Sequence, residues 1–371
     1  MASARIPATV ITGFLGAGKT TLIRNIIMQA NGKRLALIVN EFGDIGMDGD
    51  MLQECGADSC SAEDIIELAN GCICCTVADD FLPSIQQLLV QDPKPDHIII
   101  ETSGLALPQP LVQAFNWPDI KSQIMLDGVV TLVDGPALAD GGVAHDLDAL
   151  EAQRAADEEL DHESPIDELF ADQIGAANLI VLSKADMLDD AGLGRARAAV
   201  ENQLDAPTPI IPVSGGAAPM DAILGLDMED QAHARSEHSH HHHHHHDDDH
   251  HHDDDHGHDH GHGHHHHDHG HDDFASHVIS VGSVEDAEAF QKEIAAIASE
   301  FGVLRAKGRV DVAGKALPFV VQAVGRRVDG YFARDRDSVS GRLVVIGMAG
   351  LDAAAIAARL GGRILDDHAS S

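Results

Sequence analysis

One stretch near the start of the chain has the residue types and spacing of a phosphate-binding loop. It reads Gly13, Phe14, Leu15, Gly16, Ala17, Gly18, Lys19, Thr20 and matches the pattern G-x-x-x-x-G-K-[ST] in full. Glycines let backbone N–H groups curl around phosphates, and the following helix adds the positive end of its dipole. We expect Lys19 to reach the β- and γ-phosphates, Thr20 to bind Mg²⁺, and Thr21 to begin the helix beside the nucleotide.

A carboxylate follows a second apolar run. Residues 97–100 read His-Ile-Ile-Ile, and Glu101, Thr102, Ser103 and Gly104 come directly after them. Enzymes with a phosphate loop place at such a strand end the acid that helps hold Mg²⁺, and the glycine that senses the γ-phosphate. Glu101 is therefore predicted to be the second Mg²⁺ residue.

The base of the nucleotide is indicated by Ser183, Lys184, Ala185 and Asp186, which end a late apolar run. They are similar to the N-K-x-D loop of GTPases, in which the Asp carboxylate accepts hydrogen bonds from guanine. Ser183 stands where that loop has Asn, while Lys184 and Asp186 keep the stacking and base-reading positions. The motif favours GTP over ATP.

Three of the five cysteines form a separate cluster, Cys72, Cys74 and Cys75. In an extended segment alternate side chains share a face, so Cys72 and Cys74 would point together, and a turn would bring Cys75 to them. Thiolates suit a tetrahedral, borderline-soft ion such as Zn²⁺ or Co²⁺. The fourth ligand stays open, and Cys55 and Cys60 have no partner at ligand spacing.

Together these motifs resemble the CobW-type metallochaperone P-loop GTPases, in particular the branch that serves cobalamin biosynthesis. The resemblance also rests on Asn40-Glu41-Phe42-Gly43 and on Leu304-Arg305-Ala306-Lys307-Gly308. It implies GTP hydrolysis coupled to delivery of Co²⁺ to cobaltochelatase, with Glu41 orienting the attacking water or binding metal. It also implies that the C-terminal domain contacts the recipient, and a nucleotide- or metal-dependent dimer is a further expectation. A zinc chaperone of the same family and a metal storage or sensing protein remain alternatives.

Charge and composition limit the other partners. The chain has 371 residues, 44% of them apolar, and 61 acidic against 24 basic side chains give a net charge of -37. Such a surface repels phosphate backbones, which argues against nucleic acid and anionic membranes as partners. The closely spaced cysteines indicate a reduced compartment, and no segment has the roughly 20 apolar residues that span a bilayer. We expect a cytoplasmic protein without membrane insertion.

The motifs must be positioned by an α/β fold, a P-loop NTPase with a mostly parallel sheet and flanking helices. Six apolar runs predict its strands, at residues 8–12, 35–40, 97–101, 129–134, 178–183 and 210–214. They lack alternation, which is typical of strands covered on both faces. Residues 21–28 are predicted to form a helix, and residues 157–168 a charged helix or loop.

The chain divides at a stretch of unusual composition. Residues 238–273 contain 21 His, 10 Asp, four Gly and one Ser, which cannot build a core. We predict a GTPase domain with the cysteine site at residues 1–230, a disordered linker at 231–273 and a small α/β domain at 274–371. The tract is interpreted as a metal reservoir or as a linker alone. In the last domain, strands are predicted at 278–281, 308–312, 318–324 and 343–346, and helices at 285–301 and 353–360.

Overall fold

The computed structural model describes residues 5–30, 32–40, 65–68, 81–156, 165–225, 273–333 and 340–365. Within these ranges the strands form two sheets, one in the N-terminal part and one in the C-terminal part. Glu41, the five cysteines and the His/Asp tract except Asp273 lie outside the described residues. The metal and catalytic roles predicted for these residues therefore stay predictions.

The N-terminal sheet has seven described strands in the order β3-β2-β4-β1-β5-β6-β7, and every described pair is parallel. Their bounds are β1 Ile6–Thr12, β2 Leu35–Asn40, β3 Ile65–Leu68, β4 His97–Glu101, β5 Ile124–Asp134, β6 Leu179–Ser183 and β7 Ile210–Val213. All residues of β4, β5 and β6 are buried, as expected for a sheet covered on both faces. Because the described strands are all parallel, their carboxyl ends lie along the same edge of the sheet.

Helices cover both faces of this sheet. Those described are α1 Lys19–Met28, α2 Leu82–Leu89, α3 Pro108–Ala114, α4 Pro118–Lys121, α5 Gly135–Ala139, α6 Leu147–Ala156, α7 Ile166–Gly175, α8 Asp190–Glu201 and α9 Met220–Leu224. Helix α1 shows the principle, because Leu22, Ile23, Ile26 and Ile27 form an apolar stripe that packs into one buried cluster with β1, β2 and β5. On the opposite face α2, α3 and α4 pack against the other side chains of β1 and β4.

The C-terminal sheet is antiparallel, with the strand order β11-β10-β9-β12-β8-β13. Its strands are β8 Phe274–Ser280, β9 Arg305–Val310, β10 Phe319–Val324, β11 Arg327–Phe332, β12 Arg342–Met348 and β13 Arg363–Ile364. Two helices, α10 Ala287–Phe301 and α11 Ala353–Arg359, cover one face and build its own core. The opposite face contacts the N-terminal part.

The two parts share buried contacts. Leu304 and Val324 belong to the same apolar cluster as Leu22 of α1, and Ala222 of α9 packs with residues of β8 and β12. The side chain of Arg305 enters this contact and is 2% exposed. The parts are thus joined by packing as well as by the chain.

Arg305 is the first member of a buried polar network. Its Nη1 donates to Asp127 Oδ2 on β5 at 2.6 Å, its Nε donates to the Ala222 carbonyl at 2.7 Å, and its Nη2 donates to the Ile223 carbonyl. Asp127 also accepts a hydrogen bond from Thr9 Oγ1 of β1 at 3.3 Å, and Thr9 Oγ1 is bonded to His97 Nε2 of β4 at 2.8 Å. We call Arg305, Asp127, Thr9 and His97 the Arg305 network.

The predicted fold class is confirmed, and the strands at 35–40 and 97–101 have the predicted bounds. Several strands begin earlier than predicted, most of all β5 at Ile124, β8 at Phe274 and β9 at Arg305. Strands β3, β11 and β13 were not predicted. Helix α7 begins at Ile166, inside the segment predicted as a charged helix or loop. No described helix is long and apolar enough to cross a membrane.

Candidate nucleotide site

The phosphate loop connects β1 to α1, and its glycines are required by the backbone. Gly13 has φ +139°, and a Cβ atom there would lie 2.3 Å from the Leu132 carbonyl oxygen, so a side chain would clash. Gly18 adopts φ +95° at the N-terminus of α1, a conformation that favours glycine. Helix α1 has no side-chain cap and no acidic residue in its first turn. Its first N–H groups therefore suit an anion.

Lys19 is buried at the start of α1. Its Nζ donates to the carbonyl of Gly13 at 2.7 Å and to that of Phe14 at 3.3 Å, so the loop curls around the ammonium group. Burial lowers the pKa of Lys19, and the nearby Glu101 charge acts in the opposite direction. A bound anion would stabilise the charged form of Lys19, which burial destabilises, so the site is suited to an anionic ligand.

Glu101 ends β4 next to the phosphate loop and is 5% exposed. Burial raises the pKa of its carboxyl group, whereas the Lys19 charge lowers it. Thr12 and Thr102 lie one residue beyond the paired residues Ile11 and Glu101, and the hydroxyls of both have no partner among the described residues. Buried oxygen groups without a partner are rare.

These groups fit a Mg²⁺–nucleotide. Mg²⁺ prefers oxygen ligands and keeps several waters, so the Glu101 carboxylate and the Thr20 hydroxyl are suitable partners for the ion or its waters. The lysine and the uncapped N-terminus of α1 are suited to phosphates. When bound, Mg²⁺ would neutralise charge on the phosphates, and the protein would hold it through Thr20 and Glu101.

The predicted base-reading loop lies beside the phosphate loop. Ser183 is the last residue of β6, and a Cβ atom on Gly18 would be 3.9 Å from the Ser183 Cβ. Lys184 has φ +56°, and a 3₁₀ turn follows at Ala185–Met187, with Asp186 exposed. The structure thus brings together two motifs that are more than 160 residues apart in the sequence, and leaves Asp186 open to a ligand.

A further loop contributes to the same edge of the sheet. The residues that follow β7 pack against α1, where the Asn25 amide donates to the Gly215 carbonyl at 3.1 Å. A Cβ atom on Gly216 would lie 2.9 Å from Thr21 Cγ2. This contact positions the exposed side of α1, to which the predicted nucleotide residue Thr21 belongs.

The predicted metal residues Cys72, Cys74 and Cys75, together with Glu41, lie outside the described residues. Within the described ranges no three His, Cys, Asp or Glu side chains are grouped so that they could hold a metal ion. The described residues therefore neither add a competing metal site nor test the cysteine site.

Two charged residues that no sequence motif marked as functional, Asp134 and Arg305, lie at structural junctions. Asp134 ends β5 and pairs with Lys184, with Nζ 2.6 Å from Oδ2. Its position at the end of a strand beside the base-reading loop could have marked it. Arg305 lies in a motif that supported the family resemblance, but its buried partner Asp127 is 178 positions away.

Comparison with known proteins identifies relatives over nearly the whole chain. A family model described as CobW/HypB/UreG, nucleotide-binding domain, matches residues 7–212, and one described as cobalamin synthesis protein cobW C-terminal domain matches residues 274–363. The chain is 48% identical over 362 residues to a Sinorhizobium protein named zinc chaperone CobW, covering 96% of each chain. It is 43% identical to a Pseudomonas aeruginosa protein of the same name, covering 96% of this chain and 91% of the relative. The crystal structure of Zn(II)-bound YjiA GTPase from E. coli aligns at 21% identity and a TM-score of 0.39, covering 97% and 99% of the two chains.

Proposed function

Because this chain belongs to the CobW/HypB/UreG family and is a P-loop GTPase, we propose that it is a GTP-dependent metallochaperone that carries Zn²⁺. Cys72, Cys74 and Cys75 hold the ion, and the state of the nucleotide sets how tightly they hold it. The division into a GTPase domain at 1–230, a linker at 231–273 and a C-terminal domain at 274–371 is part of this proposal.

The observation that carries the proposal is the order of the outer strands on one side of the N-terminal sheet, β3-β2-β4. Strand β4 ends at Glu101, its neighbour β2 ends at Asn40, and the next strand, β3, ends at Leu68. Asn40 and Leu68 are paired in the parallel register, so the last two strands end at the same level. The segments that contain Glu41 and Cys72 therefore begin at strand ends on the same side of the sheet as Glu101.

The spacing makes coupling between the sites feasible. Neighbouring strands lie about 4.8 Å apart, so β3 is about 10 Å from β4. Cys72 is four residues beyond Leu68, and four residues span at most about 14 Å. A change at the Mg²⁺ and γ-phosphate site is therefore within reach of the segments that contain Glu41 and the cysteines.

Nucleotide gating requires that the GTP-bound and hydrolysed states contact the segments after β2 and β3 differently. Mg²⁺-GTP would order the segments after β2 and β3 through the γ-phosphate, assembling the thiolates, and hydrolysis would relax them and release the ion. Linkage requires the converse, that bound metal tightens GTP binding by the same factor. Glu41, directly after β2, either orients the attacking water or completes the metal site.

The choice of metal rests on ligand chemistry and on the relatives. Thiolates generally prefer Zn²⁺ over Co²⁺, and the two full-length relatives are named zinc chaperones. We therefore place Zn²⁺ first, with a zinc-dependent enzyme as recipient. The cobalt expectation, with cobaltochelatase as recipient, is the second candidate.

The test is metal affinity as a function of nucleotide. In a variant lacking residues 238–272, we expect Zn²⁺ to bind about 5- to 150-fold more tightly with Mg²⁺ and a non-hydrolysable GTP analogue than with GDP, measured by competition with a chromophoric chelator. Co²⁺ serves as a spectroscopic probe, since tetrahedral thiolate coordination gives intense visible absorption. Cys72→Ser and Cys74→Ser should remove this absorption, while the matched control Cys55→Ser should keep it.

Equal affinity with both nucleotides would overturn the gated-chaperone proposal. If the deletion also removed nearly all metal binding, the storage protein would be the better explanation. A preference for Co²⁺ over Zn²⁺ at the cysteine site would instead favour the cobalt candidate.

A further inference from the structure

The base-reading loop contains a strained residue. Lys184 is the one non-glycine residue with a positive φ among those the structure describes, at +56°. A lysine side chain disfavours this left-handed conformation, which persists only where the surroundings hold it. Because Asp186 follows two residues later, the Lys184 backbone sets the direction in which the base-reading carboxylate leaves the strand.

The contacts that hold Lys184 come from the end of β5. Lys184 Nζ donates to Asp134 Oδ2 at 2.6 Å, and Ser183 Oγ donates to the Val133 carbonyl at 2.9 Å. A Cβ atom on Gly135 would lie 2.7 Å from the Ser183 carbonyl oxygen, so glycine is needed for this close approach. Val133, Asp134 and Gly135, at the end of β5, thus support the two residues that start the base-reading loop, Ser183 and Lys184. We call these five residues the β5 junction.

Both carboxylate oxygens of Asp134 accept hydrogen bonds from neighbouring groups. It is 3% exposed, whereas the Lys184 side chain is 32% exposed. While Oδ2 accepts from Lys184, Oδ1 accepts from the Ala137 N–H at 3.1 Å and caps helix α5. The carboxylate is therefore fixed before any ligand binds, and its orientation determines where Lys184 lies.

We propose that Asp134 is a positioning residue for guanine selectivity, which holds Lys184 in its left-handed conformation so that Asp186 faces the base. This inference rests on the proposed assignment of Ser183–Asp186 as the guanine loop. Asp134 acts through Lys184 and the loop backbone. Its loss should misalign one charged hydrogen-bond acceptor while leaving the phosphate contacts in place.

The test compares GDP with inosine diphosphate, which lacks the 2-amino group that Asp186 would read. Both affinities are measured for the full chain by competition with a fluorescent GDP analogue. Asp134→Asn keeps a side-chain oxygen for capping α5 but removes the charge that Lys184 needs. We expect the ratio of GDP to inosine diphosphate affinity to fall about tenfold, the effect of losing one well-aligned charged hydrogen bond. The matched control is Asp286→Asn, the cap of α10, which should keep the ratio.

A merely structural role would lower the two affinities equally and leave the ratio within about twofold of the original, which would overturn the inference. Lys184→Met should lower the ratio as Asp134→Asn does, and the double variant should be no worse than either single one. Additive losses would show that Asp134 does not act through Lys184. If Asp186→Asn leaves the ratio unchanged, the guanine-loop assignment itself fails.

Discussion

Replacing Arg305 by methionine is expected to lower the free energy of unfolding by about 3–5 kcal/mol. Methionine fills much of the same volume, but it removes the donors to Asp127 and to the carbonyls of Ala222 and Ile223. Asp127 is only 7% exposed, so its carboxylate would stay in the interior without its charged partner. Removing one member of a buried ion pair typically costs this amount, chiefly because the remaining charge is uncompensated.

This loss can be measured by urea unfolding followed by circular dichroism and by the fluorescence of Trp117. We expect a lower midpoint with an unchanged slope, and a melting temperature lower by about 6–10 °C, at roughly 2 °C per kcal/mol for a chain of this size. The matched control is Arg327→Met, which breaks an ion pair with Asp329 in which the side chains are 31% and 40% exposed. That variant should change the free energy of unfolding by less than about 1 kcal/mol.

The double variant Asp127→Asn with Arg305→Met isolates the cause. With the charge gone, the amide oxygen at position 127 can still accept a hydrogen bond from Thr9. Part of the lost stability should then return because the uncompensated charge is gone, while the Ala222 and Ile223 carbonyls still lack their donor. If the double variant is as unstable as the sum of the single ones, the uncompensated charge is not the reason. A loss below about 1 kcal/mol for Arg305→Met would refute the reasoning altogether.

Two further predictions concern other buried charges and titrating groups. Lys19→Ala should reduce GTP turnover by at least about 10²–10³-fold with an unchanged circular dichroism spectrum. The reason is that the two loop carbonyls hold the ammonium group where the phosphates need it. Unchanged phosphate release in this variant would remove the phosphate-loop assignment. His97 has its pKa lowered to about 3, first by burial, while Asp127 raises it and Arg305 and Lys307 lower it. A lowered folded-state pKa gives stability that is present above the unfolded value of about 6.5 and is lost as the pH falls toward 3, so the protein should lose about 2 kcal/mol through His97 between pH 7 and pH 5. The variant His97→Gln should lack that part of the pH dependence in urea titrations, and equal pH slopes would contradict it.

The parts of the fold that were predictable are those whose signal is local. The phosphate loop, α1 and the strands at 35–40 and 97–101 were identifiable because a buried parallel strand is a continuous apolar run and because glycine patterns mark tight phosphate turns. The edge strand β3 has only four residues, which is too short for such a run to stand out. The cysteine site, although prominent in the sequence, lies outside the described residues and stays a prediction.

The parts that were missed depend on partners distant in the sequence. The start of β5 was not recognised because Asp127 interrupts its apolar run, and that of β9 because Arg305 and Lys307 are charged. Asp127 and Arg305 are tolerated in the interior because each neutralises the other from 178 positions away. Local periodicity contains no information about such compensation. Asp134 stands at a recognisable strand end, but its partner Lys184 is 50 positions away, at the end of the neighbouring strand β6.

The apolar cluster that Leu304 and Val324 share with Leu22 has a consequence for proteolysis. A protease that cuts the chain once between residues 226 and 272 would leave two fragments that still bury this cluster and the Arg305 ion pair between them. The nicked protein should migrate as two bands in denaturing electrophoresis and yet elute as one particle of unchanged size in gel filtration. We therefore expect the covalent connection between the two sheets to be dispensable for their association once the protein has folded.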